Sequence, residues 1–382
     1  MRFRLSLVAA AFARACAAVL VALPLAALPI TGCGGNKADS ADPVKLSFVV
    51  MGCNRIQESD WEKTRTENPS SANLPQLRQT LADIATLSPV PPYVFFTGDL
   101  VLNQAQDDGT TLGGQLNAWA QVYRSDPSGL SEKTTLVPLP GNHEMLQKVH
   151  AQGVSAEIPN PATGPVWVRW LSANGFDRFA GNGPTPAGPN PDQIADDQSK
   201  LTYSFTVGDV HFVLLNTDTL TTTGNIGWIA YNWIEKDIEK AQQDPRIRTI
   251  FVLGHKPIVA PPESVAVDAA IINPQSFQLN ALLNRSSKVV AYLCAHAHEW
   301  EAKQLGDGRA AWQVVAGNAG SQLEPSWNPP DGPYFGFTLV KVHASGKVGL
   351  VDFARPAPAV YLEGPTQPAQ PRAELVLGRR RG

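Results

Sequence analysis

Runs of β-branched and aromatic residues alternate along this chain with short polar clusters, and that alternation predicts most of its elements. Lys45 to Met51 is a continuous apolar run closed by Gly52, which reads as a strand buried on both faces. Asn73 stands before Leu74, Leu77, Leu81, Ile84 and Leu87. That three-four spacing predicts an amphipathic helix, with Asn73 as N-cap and Pro75 in the first turn. Tyr93 to Phe96 and Thr134 to Pro138 are further buried strands. Thr202 to Val207 and Val210 to Leu215 flank Gly208-Asp209 as a hairpin. Tyr231, Ile234, Ile238 and Ala241 mark a second helix, ended near Pro245. Arg248 to Leu253, Lys288 to Cys294, Ala311 to Val315, Phe335 to Val342 and Val348 to Phe353 supply the remaining strands. Helices alternating with buried strands, then strands alone, predict a layered α/β domain with sheets inside and helices outside.

The pattern fails in three places. Arg2 and Arg4 precede an uncharged run from Ala15 to Ile30, followed by Thr31, Gly32 and Cys33. A basic start, an apolar middle and small residues before a cleavage point describe a secretory signal over residues 1–32. Pro24 and Pro29 interrupt the run, and it is short for a membrane span, the competing reading. Cys33 after such a site resembles the lipobox of bacterial lipoproteins, which implies lipidation at Cys33, a tether over residues 33–43 and a place in the bacterial cell envelope, with the lipid membrane as a partner. Residues 150–200 are rich in Gly, Pro and Asn yet hold Trp167, Trp170 and Phe176. They read as a partly ordered insertion packing through its aromatics, inside a domain spanning 44–355. Residues 356–382 are Pro-rich, end in Arg379-Arg380-Arg381, and read as a mobile tail with a solvated basic end.

Composition narrows the class without naming a function. In 382 residues, 43% are hydrophobic and 17% charged, which permits a sizeable core and excludes a disordered chain. A net charge of -3 offers no basic excess for nucleic acid. Of four cysteines, Cys16 leaves with the signal and Cys33 carries lipid, so Cys53 and Cys294 cannot make a disulfide scaffold.

Candidate chemistry sits at the strand ends. Five apolar strands stop at Gly52-Cys53-Asn54-Arg55, Gly98-Asp99-Leu100, Gly141-Asn142-His143-Glu144, Gly254-His255-Lys256-Pro257 and Ala295-His296-Ala297-His298. Four of the seven histidines lie in those clusters. Ligands gather at the carboxyl ends of strands in layered α/β sheets, and imidazole, carboxylate and amide oxygen suit divalent metals.

These clusters, in this order, resemble the calcineurin-like metallophosphoesterases over roughly residues 44 to 355. The resemblance implies a two-sheet β-sandwich flanked by helices in four layers, with one or two divalent ions, zinc, manganese or iron. It implies that Asp99 bridges both metals, that Asn142, His255 and His296 complete the second site, and that His298 binds the first. His143 stays free to stabilise the phosphorane or protonate the leaving oxygen. The implied reaction is attack of water on a phosphate mono- or diester, with inversion at phosphorus.

The first cluster departs from the family, which has Asp, one residue, then His. Here Cys53 and Arg55 stand there, and Leu102 occupies the position where purple acid phosphatases carry Tyr. Three readings stay open. Cys53 is a thiolate ligand beside Asp99 and His298. Or site one is empty and Arg55 clamps phosphate. Or Cys53 is bonded to Cys294. The departure also leaves a rival function, a degenerate, non-catalytic metal- or phosphate-binding lipoprotein. Elsewhere His211 reads as a sheet residue, His150 and His343 as surface, Asp218 as a turn residue or a support behind the site, and Glu144 as support or helix start. Gly317 to Gly320 reads as a turn lining the pocket, and Trp167, Trp170 and Trp327 as core.

Overall fold

The computed structural model describes residues 42–57, 59, 71–151, 153–265, 268–308 and 310–377. The segments read as signal and tether, apart from Asp42 and Pro43, lie outside the described residues, as do Cys33 and the terminal arginines. In chain order the elements are β1 (Val44–Met51), α1 (Leu74–Ala85), β2 (Tyr93–Thr97), α2 (Thr110–Ser125), α3 (Leu130–Lys133), β3 (Thr135–Leu139), α4 (Asn142–Met145), β4 (Leu146–Ala151), β5 (Val154–Pro159) and α5 (Thr163–Asn174). They continue with β6 (Tyr203–Val207), β7 (Val210–Leu214), α6 (Tyr231–Gln243), β8 (Thr249–Leu253), α7 (Gln275–Arg285), β9 (Val289–Cys294), β10 (Trp300–Gln304), β11 (Trp312–Ala316), β12 (Tyr334–His343), β13 (Val348–Pro356) and β14 (Gln370–Val376).

Two six-stranded sheets, ordered β14-β13-β12-β1-β2-β3 and β10-β11-β9-β8-β7-β6, stack with helices outside. Side-chain alternation assigns the layers. Phe48, Val50 and Phe95 point between the sheets and meet Phe212 and Phe251. Phe48 packs edge-on against Phe95, Phe212 and Phe251, with centroids 5.3, 5.2 and 5.1 Å away. The intervening Val49, Met51, Val94 and Phe96 face outward onto Leu77 and Leu81 of α1 and Leu116 and Trp119 of α2. On the other side Val213, Ile250 and Val252 meet Ile234 and Ile238 of α6 and Leu279 and Leu282 of α7. The sheets are therefore buried on both faces, the four-layer arrangement expected, and this is why their strands read as unbroken apolar runs.

Asn73 caps α1, its side chain accepting from Gln76 N, with Pro in the first turn. Among the described residues, five helices escaped the sequence pattern, α2 and α7 among them. α2 contains Gly113-Gly114, which weaken a helix, and its N-cap is Gly109 rather than a capping side chain. Asp107 does that work from upstream, accepting from Gly109 N and Thr111 N. α7 carries polar residues and no side-chain cap.

The expectation of a mobile tail past Pro356 is corrected. Gln370–Val376 pairs with β13 as an antiparallel edge strand, where Pro371 costs no interior ladder bond. The insertion packs as expected. β4 and β5 form a hairpin, and Trp167 and Trp170 of α5 enter the core beside Trp119. Trp327 departs from the core reading, being half-buried against Tyr334 with ring centroids 4.8 Å apart.

Arg355 of β13 ties the first sheet to α1. Its guanidinium is 1% exposed and donates to Gln76 Oε1 and O, Thr80 Oγ1 and Asp83 Oδ2. Removing one partner of a buried ion pair leaves the other charge uncompensated, so Arg355→Ala should cost about 3–5 kcal/mol. Urea unfolding of the variant checks this; a midpoint equal to that of the wild type would contradict it.

Candidate metal centre

Five strands end at one edge of the sandwich, and their polar clusters converge there. β1, β2 and β3 run parallel in one sheet, β7, β8 and β9 in the other, so the carboxyl ends of β1, β2, β3, β8 and β9 share a side. Backbone bonds lock the clusters together: Cys53 N to Gly98 O at 3.0 Å, Asn54 N to Asp99 O at 2.9 Å, and Ala295 N to His255 O at 3.0 Å. Crowding explains the glycines before the donors. A Cβ on Gly98, which sits at φ +93, would overlap His255 Nδ1. One on Gly141 would overlap Asp99 Oδ1. Cys53, Asp99 and His296 take left-handed φ values of 60, 57 and 68, strained for side chains of this kind.

Hydrogen bonds fix three histidine tautomers. His143 Nδ1, His255 Nδ1 and His298 Nδ1 stand 2.5, 2.7 and 2.7 Å from the carbonyls of Leu102, Thr97 and Gln322. A carbonyl only accepts, so each Nδ1 carries a proton and each Nε2 is the nitrogen left to face the centre. His255 Nε2 lies 3.0 Å from Asn142 Oδ1, 3.1 Å from His296 Nδ1 and 3.3 Å from Asp99 Oδ1. His296 Nδ1 is 3.2 Å from Asn142 Oδ1, while its buried Nε2 has no hydrogen-bond partner. Donors about 2.1 Å from an ion at a tetrahedral angle stand about 3.4 Å apart, so this set fits one divalent cation.

Electrostatics agree with that fit. Burial pushes the Asp99 carboxyl up, but His255, His143 and Arg55 outweigh it and hold the group well below the usual carboxylate range. Burial and then His255 hold His296 well below the usual imidazole value, so its ring is neutral. Glu144 braces the cluster by accepting from Gly141 N, Asp99 N and Val101 N at 2.8, 3.0 and 3.1 Å.

The departed first cluster is also brought in. Cys53, Asp99 and His298 offer donor atoms within 4.8 Å of one another. Arg55 occupies the same neighbourhood, its Nε donating to Asp99 Oδ2 at 3.3 Å. Burial, then Asp99, push the Cys53 thiol well up, so it is protonated when no ion holds it. The disulfide reading is corrected: Cys53 and Cys294 are both free. Cys294 Sγ faces Val314 O at 3.6 Å on the neighbouring strand.

A cavity of 730 Å³ opens over the cluster, lined in part by Arg55, Asn142, His143, His296 and His298. Burial, then Arg55, hold His143 down at about 3. Residues without a motif complete the site. Asp268 lines the cavity, its Oδ2 2.5 Å from buried Lys256 Nζ and its Oδ1 4.0 Å from His296 Nε2. Lys256 also donates to Asp218 at 2.7 Å. Asp218 sits in a turn after β7, as expected, and is also part of a buried ion network behind the histidines, the supporting role left open for it. Lys256 could have been flagged from its place beside His255; Asp268 and Glu157 lie in segments that carry no signal. The Gly317 to Gly320 turn sits behind the site, where Asn54 Nδ2 donates to Ala319 O.

A family profile described as Calcineurin-like phosphoesterase matches residues 55–300. A 165-residue stretch is 30% identical to the Arabidopsis thaliana protein named Probable inactive purple acid phosphatase 9, covering 40% of this chain and 24% of that relative. Among solved structures, purple acid phosphatase PPD1 from yellow lupin aligns over 87% of this chain and 53% of its own, with TM-score 0.53 and 16% identity. A dimetal phosphatase from Danio rerio aligns over 88% of this chain and all of its own, with TM-score 0.52 and 12% identity. These two likenesses show the shared fold.

Losing one of four donors should remove the ion outright. His255→Ala and His296→Ala should each lose bound metal, a larger effect than the ~10–100-fold of an outer-sphere change. Elemental analysis decides it, and full metal content in both variants would overturn the donor set.

Proposed function

The chain belongs to the calcineurin-like phosphoesterases, and we propose that it hydrolyses phosphate mono- or diesters with one divalent ion held by Asp99, Asn142, His255 and His296. The observation that carries this reading is the convergence of His255 Nε2, His296 Nδ1 and Asn142 Oδ1, three ligand-type atoms 3.0–3.2 Å from one another in a buried site. An ion bound there lowers the pKa of a water and neutralises phosphoryl oxygens. Arg55 takes the place of a second ion. Its guanidinium already pairs with Asp99 and lines the cavity, where it offers charge-assisted bonds to phosphoryl oxygens. A guanidinium about 4 Å from a dication would be repelled by several kcal/mol even at an effective dielectric of about 20. Cys53 then remains a buried thiol.

His143 presents Nε2 to the same cavity, its ring oriented by Leu102 O. An entering ester brings negative charge that offsets Arg55 and raises the affinity of the ring for a proton, which His143 would take from solvent at Nε2 and deliver to the leaving oxygen. For location, we propose a lipid-anchored position in the bacterial cell envelope, supported by Arg2, Arg4, the uncharged run and Cys33 alone.

A second reading, a non-catalytic phosphate binder, is favoured by the Arg55–Asp99 contact and by the name of the Arabidopsis relative. Turnover of aryl phosphate mono- and diesters by the metal-loaded protein separates the two. Hydrolysis is expected, with one metal per chain. His143→Ala should keep the metal and lose roughly 10²–10⁴ in rate. Phosphate binding without any hydrolysis would establish the second reading. Two ions per chain, with a sulfur-to-cobalt charge-transfer band on cobalt substitution, would show that Cys53 is a ligand and that Arg55 does not replace an ion.

A further inference from the structure

The side-chain amide of Asn142 poses a problem of orientation. Its oxygen must face the ion and its nitrogen must not, yet the two ends have nearly the same shape. Whatever partners the nitrogen decides which end points inward. Here Asn142 Nδ2 donates to both carboxylate oxygens of Glu157, at 3.4 and 3.2 Å. A carboxylate accepts and cannot donate, so it rejects the flipped amide. Glu157 belongs to β5, in the hairpin that stands apart from both sheets. Gln104 Nε2 donates to Glu157 Oε1 and holds that carboxylate in place. The Gln104 carbonyl in turn accepts from Lys148 N of β4 at 2.9 Å.

We propose that Glu157 is a positioning residue that fixes the Asn142 amide with its oxygen toward the metal, so that the inserted hairpin sets metal affinity. This rests on the reading of Asn142 as a metal ligand. Glu157 lines the cavity and touches the ion only through Asn142, so its effect appears in binding as well as in turnover.

The chemistry of the pair gives a test with a sign. In Glu157→Gln, one oxygen must serve both Gln104 and Asn142, and the new NH₂ group opposes one of those donors. Affinity for zinc should fall about 10- to 100-fold, as for loss of an outer-sphere partner. In Asn142→Asp, two carboxylates face each other across the same gap, and affinity should fall as well. In the double variant Asn142→Asp/Glu157→Gln, the new NH₂ donates to Asp at 142 while the remaining oxygen accepts from Gln104. The double variant should therefore bind zinc within a few-fold of the wild type, a rescue that mere disruption of the hairpin would not produce.

Zinc affinity measured by competition with a chromophoric chelator provides the readout, with thermal unfolding of each metal-free variant confirming the fold. Unchanged affinity in folded Glu157→Gln would overturn the proposal, as would losses that simply add in the double variant. Asn142→Ala separates the two levels of the argument. If it binds zinc as well as the wild type, the ligand reading fails and takes this proposal with it. If it loses zinc while Glu157→Gln does not, only the role of Glu157 fails.

Discussion

Ligand-type nitrogen and oxygen atoms crowded together at one buried point are the constraint on which this structure turns. Burying a polar group without a partner costs free energy, and several acceptors in contact add mutual repulsion. His255, His296 and Asn142 are crowded in this way, because the carbonyl of Thr97 accepts from His255 Nδ1 and turns Nε2 onto Asn142 Oδ1 and His296 Nδ1. A cation removes the penalty at every donor at once. The rest of the site reads as machinery for holding this otherwise unfavourable arrangement. Glu144 ties three backbone amides beneath it, and three residues accept left-handed backbone conformations to aim their side chains.

The same constraint makes sense of Arg55. With Asp and His missing from the first cluster, Asp99 Oδ2 would be a buried charge without a partner on that side. Arg55 supplies the missing positive charge from one residue. It could not share that place with a dication at low cost, which is the basis of the proposal that a fixed planar cation stands in for a second ion.

Much of this was legible in the chain, for a physical reason. Both faces of both sheets are covered, so β1, β2, β3, β8 and β9 appear as uninterrupted apolar runs, and each ends where a glycine or alanine admits a donor. What could not be read came from elements stabilised by neighbours. α2 depends on packing against Trp170 and on the upstream Asp107, which overcome its paired glycines. β14 is a polar, proline-bearing edge that only its partner strand makes into structure. Asp218 sits in an Asn-Thr-Asp sequence equally suited to a turn, and its bond to Lys256 crosses 38 positions. Glu157 and Asp268 reach the centre from the insertion and from a long loop, where no spacing rule applies.

The central claim is that the strand-end cluster is incomplete until one divalent ion enters it, and thermal unfolding against added metal tests this most directly. An ion that binds only the folded chain stabilises it by mass action, by about 2.7 kcal/mol at a hundredfold excess over its dissociation constant. The account predicts that the unfolding temperature of the chelator-treated protein rises with the first equivalent of zinc or manganese, and that a second equivalent produces no comparable step. An unfolding temperature indifferent to both metals would contradict it.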